Sequence, residues 1–227
     1  AALVPANNAL VGLQLFWQQQ AFPRDFARVK TVVPWIQYVA YCLSGKLVTE
    51  ISGMACQSHL LNIRDGGYSS LVKRMGWEPL FPPMAKAWET IGTLRGEFLG
   101  NGFRGRGNVL AGVHDSNANY LRYLAGGQKK FTLLSTGTWI IGFDTETGLA
   151  SLIEERDTVS NTDVFGNRVG SGRFFGGREF EIVSGGASGD MASLLAVQDL
   201  IATATYALPS FSDGGGPVPR TGGRGRI

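Results

Sequence analysis

Apolar residues in the first third of the chain have the spacing of short amphipathic helices. Residues 10–17 place apolar side chains on one helical face, and a run of three glutamines follows them. Pro23 suits the first turn of a second, shorter helix. Pro34 opens a third helix, which Gly45 closes as a C-terminal cap. With a further helix over Ser69–Met75, the pattern predicts a helix-rich first part of the chain.

Strand-like apolar runs begin at residue 108. Asn108–Val113 is a short apolar run that predicts a buried strand, and it stops at His114 and Asp115. A helix is predicted to follow and to end near Gly126. The chain therefore passes from a strand to a helix at a histidine–aspartate pair.

The second half of the chain is predicted to be richer in strands. Phe131–Leu134 and Trp139–Phe143 look like two strands joined by the small residues Ser135–Thr138. Short strands with glycine turns are predicted over 150–180, and a last helix over 190–206 with Asp190 as its cap.

Both halves mix helices with strands, which predicts an α/β or α+β protein. Helix-rich sequence gives way to strand-rich sequence at Gly126-Gly127. The predicted division is therefore residues 1–127 and residues 128–227.

Composition narrows the class of protein. An apolar fraction of 44% and a charged fraction of 17% are typical of a folded globular chain. The net charge is only +3, and no stripe of lysine and arginine with interleaved aromatic residues occurs, which argues against nucleic-acid binding.

Compartment signals point to the cytoplasm. No apolar run has the length of a membrane span, and no signal peptide opens the sequence, although residue 1 is not methionine. The two cysteines, Cys42 and Cys56, have no metal or redox spacing and are interpreted as reduced core residues. We expect a cytoplasmic protein without a membrane partner.

Asp115 is the first candidate for chemistry. A carboxylate at the end of a buried strand, just before a helix, lies where ligand clefts form in open α/β sheets. It can accept a proton from a substrate hydroxyl there. The alternative is that Asp115 only caps a helix that begins at Ser116. The residues alone leave both interpretations open.

The turn Ser135–Thr138 is the second candidate. Backbone amides in a tight turn between strands can converge on phosphate oxygens, and hydroxyl groups add donors. Gly137 lets the chain approach a ligand closely. An ordinary hairpin turn rich in small residues is the alternative.

Taken together and in order, these segments resemble the FGGY family of carbohydrate kinases, within the actin-like ATPase superfamily. The resemblance runs over nearly the whole chain. The segments that carry it are Phe26–Tyr38, Leu43–Gly45, Thr49–Ser52, Leu60–Ile63, Trp88–Gly92, Gly112–Asp115 and Leu134–Trp139.

The resemblance implies an α/β, actin-like (ribonuclease H-like) sugar-kinase fold that spans the rear of an N-terminal sugar-binding domain and the front of a C-terminal nucleotide-binding domain. It implies transfer of phosphate from ATP, with Mg²⁺, to a hydroxyl of a small-molecule sugar. Asp115 would be the general base. Thr136, Gly137 and Thr138 would bind the phosphates of ATP.

The sugar contacts follow from a narrower resemblance. In the rhamnulokinase- and fuculokinase-like branch, the positions that match His114 and Ser116 touch the sugar, which implies a ketose or deoxy-ketose substrate. The oligomeric state stays open, a homodimer included.

Some family motifs are absent. The initial Asp-x-Gly-Thr turn does not occur, and Gln14 stands where the family carries lysine. The chain ends before the family's adenosine motif, since the glycine-rich Ser184–Gly189 comes too early and is interpreted as a loop. Rhamnulokinase-like members carry an asparagine near the sugar in the segment that matches Phe174–Phe180, where this chain has glycine. We therefore expect the 227-residue chain by itself to be inactive.

Two alternatives remain. A truncated or degenerate relative that binds a sugar or nucleotide without turnover is consistent with the missing motifs. A hydrolase with a Ser–His–Asp set would have only His59 and His114 to use, and no Gly-x-Ser-x-Gly elbow occurs.

Overall fold

The structure is a computed structural model, and it describes residues 10–56, 58–100, 104–105, 107–212, 216–218 and 225. The chain forms two compact units. One is built from Val4–Gln128 and Ser160–Val169 and is called the helical unit below. The other is built mainly from Lys129–Val159 and Gly170–Ile227 and is called the sheet unit.

The pattern predicts the helices of the helical unit except the short one at Ile51–Ala55, and the helix that begins at Pro23 is shorter than predicted. They are α1 (Val11–Ala21), α2 (Pro23–Phe26), α3 (Trp35–Ser44), α4 (Ile51–Ala55), α5 (Ser70–Met75) and α6 (Asp115–Ala125). Gly45 and Gly76 end α3 and α5 in the left-handed conformation, with φ of 78° and 67°. Only glycine adopts this conformation without a steric penalty, which is why the helices end there.

A cluster of apolar side chains from α1, α4, α5 and the loops between them forms the core of the helical unit. Trp77 is 1% exposed, and its Nε1 donates to Gln19 Oε1 at 2.8 Å, so the buried indole keeps a hydrogen-bond partner. Burial of each such side chain contributes about 1.5–3 kcal/mol. The cluster consists of Leu15, Met54, Leu60, Leu61, Val72, Trp77 and Phe81.

Two small strand pairs also belong to the helical unit. Strands β1 (Thr49–Glu50) and β2 (Met84–Ala85) are parallel, and β3 (Thr90–Thr93) and β4 (Asn108–Leu110) are antiparallel. The predicted strand over 108–113 is therefore shorter than expected. Beyond β4, Gly112 has φ +86° and an added Cβ would lie 2.8 Å from Ile36 Cγ2. Glycine at this position lets the chain turn beneath α3 and enter α6.

A four-stranded sheet has the order β5-β6-β8-β7. Its strands are β5 (Thr132–Ser135), β6 (Ile140–Asp144), β7 (Thr158–Thr162) and β8 (Arg168–Phe174). Strands β5 and β6 are antiparallel and pair from Thr132↔Asp144 to Ser135↔Ile141, which confirms the predicted hairpin.

Two predictions for the last third of the chain are wrong. The short strands predicted over 150–180 are present as β7 and β8, but residues 176–180 belong to a helix, α7 (Gly176–Ser184). Glu179 in this helix accepts hydrogen bonds from the N–H groups of Phe211 and Ser212 at 2.6 and 2.7 Å, which are contacts with a later segment.

The last helix is also shorter than predicted. It is α8 (Leu194–Ala202), and its cap is Ser193, whose Oγ accepts from Ala196 N at 3.1 Å. Asp190 lies instead in a separate 3₁₀ turn, Gly189–Met191, which Ser188 caps. A serine closer to the apolar run therefore supplies the cap.

Candidate functional site

Asp115 is the first residue of α6, and His114 is the cap residue before it. The Asp115 side chain is 90% exposed. Its Oδ1 accepts from Ser116 N at 2.6 Å and lies 3.3 Å from Ser116 Oγ, which is itself buried. The negative charge also suits the positive end of the helix dipole. Asp115 thus stabilises the start of α6 and still presents its carboxylate to solvent.

The backbone before Asp115 is held by a buried carboxyl group. Glu50 is 0% exposed, and its Oε2 accepts the hydroxyl of Ser52 and the N–H of Gly53, the latter at 3.1 Å. Ser52 Oγ accepts in turn from His114 N at 3.0 Å. This chain of contacts links the start of α4 to the residue beside the candidate base.

The imidazole of His114 lies between a thiol and the candidate base. Cys56 Sγ is 3.1 Å from His114 Nε2, and His114 Nδ1 is 3.2 Å from Asp115 Oδ1. Burial lowers the pKa of His114, and the charge of Asp115 opposes that shift, so the imidazole is neutral at pH 7. Burial raises the pKa of Cys56 to about 12, with a further contribution from Asp115, and an interaction with Asn161 opposes it. The thiol is therefore protonated.

Three of these residues were not predicted as part of a site. Ser52 lies in α4, and Cys56 is the cap residue that ends this helix four positions later. Their contacts with His114 cross 62 and 58 positions of the chain, and no local pattern indicates them. Glu50 was noted only as part of the segment Thr49–Ser52.

A pH-dependent prediction follows from Glu50. Burial raises its pKa above the ordinary value, against the opposing hydrogen bonds from Ser52 and Gly53. The folded state then binds the proton more tightly than the unfolded state, so this contribution to stability is present at low pH and is lost as pH rises through the folded pKa. Glu50→Gln keeps the shape without the charge. We expect the stability of this variant relative to wild type to increase from pH 4 to pH 8, measured by urea denaturation.

Glu50→Ala is the matched control. It removes the acceptor for Ser52 and Gly53 and is expected to cost about 1–3 kcal/mol of unfolding free energy. A difference between the glutamine variant and wild type that is the same at every pH would contradict an ionisable buried Glu50.

The predicted phosphate turn lies in the sheet unit. Thr136, Gly137 and Thr138 connect β5 to β6, and all three are exposed. Ser135, at the end of β5, is buried. The turn therefore offers backbone N–H groups and two hydroxyl groups to solvent, a donor set that suits the oxygens of a phosphate.

The start of α7 packs against this turn. Gly177 N donates to Thr138 O at 3.2 Å. A Cβ on Gly177 would lie 2.7 Å from Gly137 O and 2.9 Å from Thr138 Cα, and both are backbone atoms that cannot rotate away. The absence of a side chain at Gly177 thus permits the observed position of the turn.

Gly177→Ala is expected to displace the turn. We expect a loss of about 1–3 kcal/mol in unfolding free energy from overpacking. Gly148→Ala is the control, because an added Cβ there meets nothing within 4 Å. Urea denaturation of both variants tests this, and equal losses for the two would contradict the packing argument.

The two predicted groups of site residues thus lie on different units. His114, Asp115 and Ser116 are adjacent in the helical unit, and Thr136, Gly137 and Thr138 are adjacent in the sheet unit. Among the described residues, no three or more His, Cys, Asp or Glu side chains come together as a metal site. No helix in the described part of the chain is long and apolar enough to cross a membrane.

The fold defines the class of protein. It is the α/β fold of sugar kinases with actin-like domains, as predicted, and this is supported by similarity to solved structures. A carbohydrate kinase from Novosphingobium aromaticivorans is 36% identical with a TM-score of 0.74, over 93% of this chain and 49% of that one. The chain therefore spans about half the length of this relative.

Two more distant structures share the fold alone. A xylulose kinase from Rhodospirillum rubrum is 19% identical with a TM-score of 0.61, over 92% of this chain and 42% of that one. A gluconate kinase from Lactobacillus acidophilus is 17% identical with a TM-score of 0.64, over 92% of this chain and 44% of that one. A search among curated proteins found no match.

The family follows from the sequence match. Residues 3–121 match the N-terminal domain of the FGGY family of carbohydrate kinases, and residues 128–226 match the FGGY carbohydrate kinase C-terminal domain. The chain belongs to the FGGY family of carbohydrate kinases.

Proposed function

We propose that the protein containing this chain phosphorylates a hydroxyl group of a sugar, with ATP as the phosphoryl donor and Asp115 as the general base. One observation carries the assignment of the base: a 90% exposed carboxylate at the first turn of α6, next to a residue held by α4. Exposure lets the carboxylate meet a substrate hydroxyl, and the buried contacts of His114 limit its displacement.

The proposed step is a proton transfer coupled to phosphoryl transfer. Asp115 accepts the proton of the sugar hydroxyl while that oxygen forms a bond to the γ-phosphorus of ATP, and the bond from this phosphorus to the bridging oxygen of ADP breaks. Such general-base assistance is worth about 10²–10⁴-fold in rate. Most of the remaining catalysis in phosphoryl transfer comes from positioning and charge stabilisation.

The phosphate contacts are assigned to the other unit. Thr136, Gly137 and Thr138 would donate hydrogen bonds to phosphate oxygens, an assignment supported by their exposure and by the packing of Gly177 beneath them. Mg²⁺ bound with ATP would offset the charge on the phosphates. The proposed division into an N-terminal sugar-binding part, 1–127, and a C-terminal nucleotide-binding part, 128–227, corresponds to these two roles.

The proposed substrate is a ketose or deoxy-ketose, as in the rhamnulokinase- and fuculokinase-like branch. The motif His114-Asp115-Ser116 supports this choice. The His114 side chain is 24% exposed, but Nδ1 is buried and Nε2 contacts Cys56, so its contact with a sugar would come from the carbon atoms of the ring. Ser116 is 6% exposed and is oriented toward Asp115, so its contribution to sugar binding would be smaller than that of His114.

The test is ADP release by the natural polypeptide that contains this chain, against a panel of ketoses, deoxy-ketoses, aldoses and polyols. We expect a ketose or deoxy-ketose to stimulate turnover most, and the 227-residue chain alone to show none. Stimulation by a polyol or aldose alone would contradict the substrate class. No stimulation by any sugar from a folded protein would favour a relative that binds sugar or nucleotide without turnover.

A further inference from the structure

Helix α4 and the residue that caps its C-terminus both contact His114. Ser52 lies in the helix, and Cys56 is the cap residue, whose N–H donates to Ser52 O at 3.0 Å. Ser52 Oγ accepts the backbone N–H of His114 at 3.0 Å, and Cys56 Sγ lies 3.1 Å from Nε2 of its ring. The backbone and the side chain of the residue before the candidate base are therefore both held by α4 and its cap.

The proton positions on the imidazole follow from these contacts. A neutral imidazole carries one N–H donor and one acceptor nitrogen. A protonated Cys56 thiol can donate S–H to Nε2 of His114 or accept from Nε2–H, and the first arrangement places the ring proton on Nδ1. The other side of the ring favours the same tautomer, because an Nδ1 lone pair would face the Asp115 carboxylate oxygen at 3.2 Å and be repelled.

We propose that Cys56 is a positioning residue for the base: it selects the Nδ1–H tautomer of His114, and that N–H anchors Oδ1 of Asp115. The kinetic part of this inference rests on the proposed function, and the tautomer part does not. The contact of His114 Nδ1 with Asp115 Oδ1 is electrostatic, because Nδ1 lies 3.2 Å from this oxygen without forming a hydrogen bond.

The two oxygens of the Asp115 carboxylate therefore differ in their contacts. Oδ1 of Asp115 accepts from Ser116 N at 2.6 Å and Ser116 Oγ at 3.3 Å, and it also lies 3.2 Å from His114 Nδ1. Oδ2 lies on the same 90% exposed side chain, and none of these donors addresses it. Oδ1 is therefore the anchored oxygen, and Oδ2 is the oxygen that accepts the substrate proton.

The test compares Cys56→Ala with Cys56→Ser in the natural polypeptide at pH 7.5. Serine retains an O–H donor for Nε2, and alanine does not. We expect long-range ¹H–¹⁵N spectra of the labelled histidines to show the Nδ1–H tautomer of His114 in wild type and in the serine variant, and its loss in the alanine variant. The signal that is lost in His114→Gln is assigned to His114, which separates it from His59 and from any other histidine of the polypeptide.

Kinetics supply the second readout. Misplacement of a reacting group by a mutation away from the chemistry can cost about 100-fold in rate. We expect a loss of this size in kcat for Cys56→Ala, with little change in the KM for ATP and recovery in Cys56→Ser. Cys42→Ala is the matched control, because Cys42 is also a partly buried free thiol but lies on α3.

Each outcome tests either the role of Cys56 or the proposed function. An unchanged tautomer in a folded Cys56→Ala protein overturns the inference, as does an unchanged kcat when wild type is active. A wild-type protein that turns over no sugar overturns the proposed function, while the tautomer comparison still decides the role of Cys56.

Discussion

Replacement of Asp115 with asparagine is expected to lower kcat for sugar phosphorylation by about 10²–10⁴-fold. Asparagine keeps the size of the side chain, and its amide oxygen can still accept from Ser116 N, so α6 should begin at the same residue. What it loses is the ability to accept a proton at neutral pH. The KM for ATP should change little, because the proposed phosphate contacts lie on the other unit. Steady-state kinetics with saturating sugar and ATP measure both values.

Asp25→Asn is the matched control for this experiment. Asp25 lies in the first turn of α2, and its side chain is 77% exposed in an ion pair with Arg28. It therefore shares the exposure and the helix position of Asp115 but has no proposed chemistry. A loss of kcat in Asp115→Asn no larger than in the control would show that Asp115 serves only to stabilise the start of α6.

Replacement of Arg173 with methionine is expected to cost about 3–5 kcal/mol of unfolding free energy. The Arg173 and Asp157 side chains are 3% and 6% exposed, and Nη2 and Nε of the arginine donate to Asp157 Oδ1 at 2.9 and 3.1 Å. Methionine leaves the carboxylate of Asp157 buried without its cation. The Arg173 guanidinium also lies 5.7 Å from the centre of the ring of Trp139, which is the residue directly after the proposed phosphate turn.

Two comparisons isolate the buried charge in a denaturation experiment followed by tryptophan fluorescence. The double variant Arg173→Met/Asp157→Asn removes the unpaired charge and should recover part of the loss, since asparagine tolerates the φ of +54° at this position. Arg178→Met breaks an exposed pair with Glu181, of 55% and 66% exposure, and should cost only about 0–1 kcal/mol. Equal losses for the two single variants would contradict the importance of burial.

The contacts that the sequence did not indicate join segments that are far apart along the chain. Residues 176–180 of α7 were predicted as strands or glycine turns, and the contacts of Glu179 with residues 211 and 212 come from a later segment. His114 is contacted by Ser52 and Cys56, which look like ordinary small residues when the sequence is considered alone. Their roles appear only when a segment 58 or more positions away packs against them.

The sequence by itself determined part of the local structure and the family. The glycine cap at Gly45 and the β5–β6 hairpin were predicted, because each depends on residues within a few positions of one another, and the order of the family segments along the chain predicted the family. The tertiary structure alone decided which side chains surround Asp115, how the tautomer of His114 is selected and how Asp157 and Arg173 pair in the sheet unit. These contacts depend on burial and on the packing of distant segments, and periodicity and capping carry no information about either.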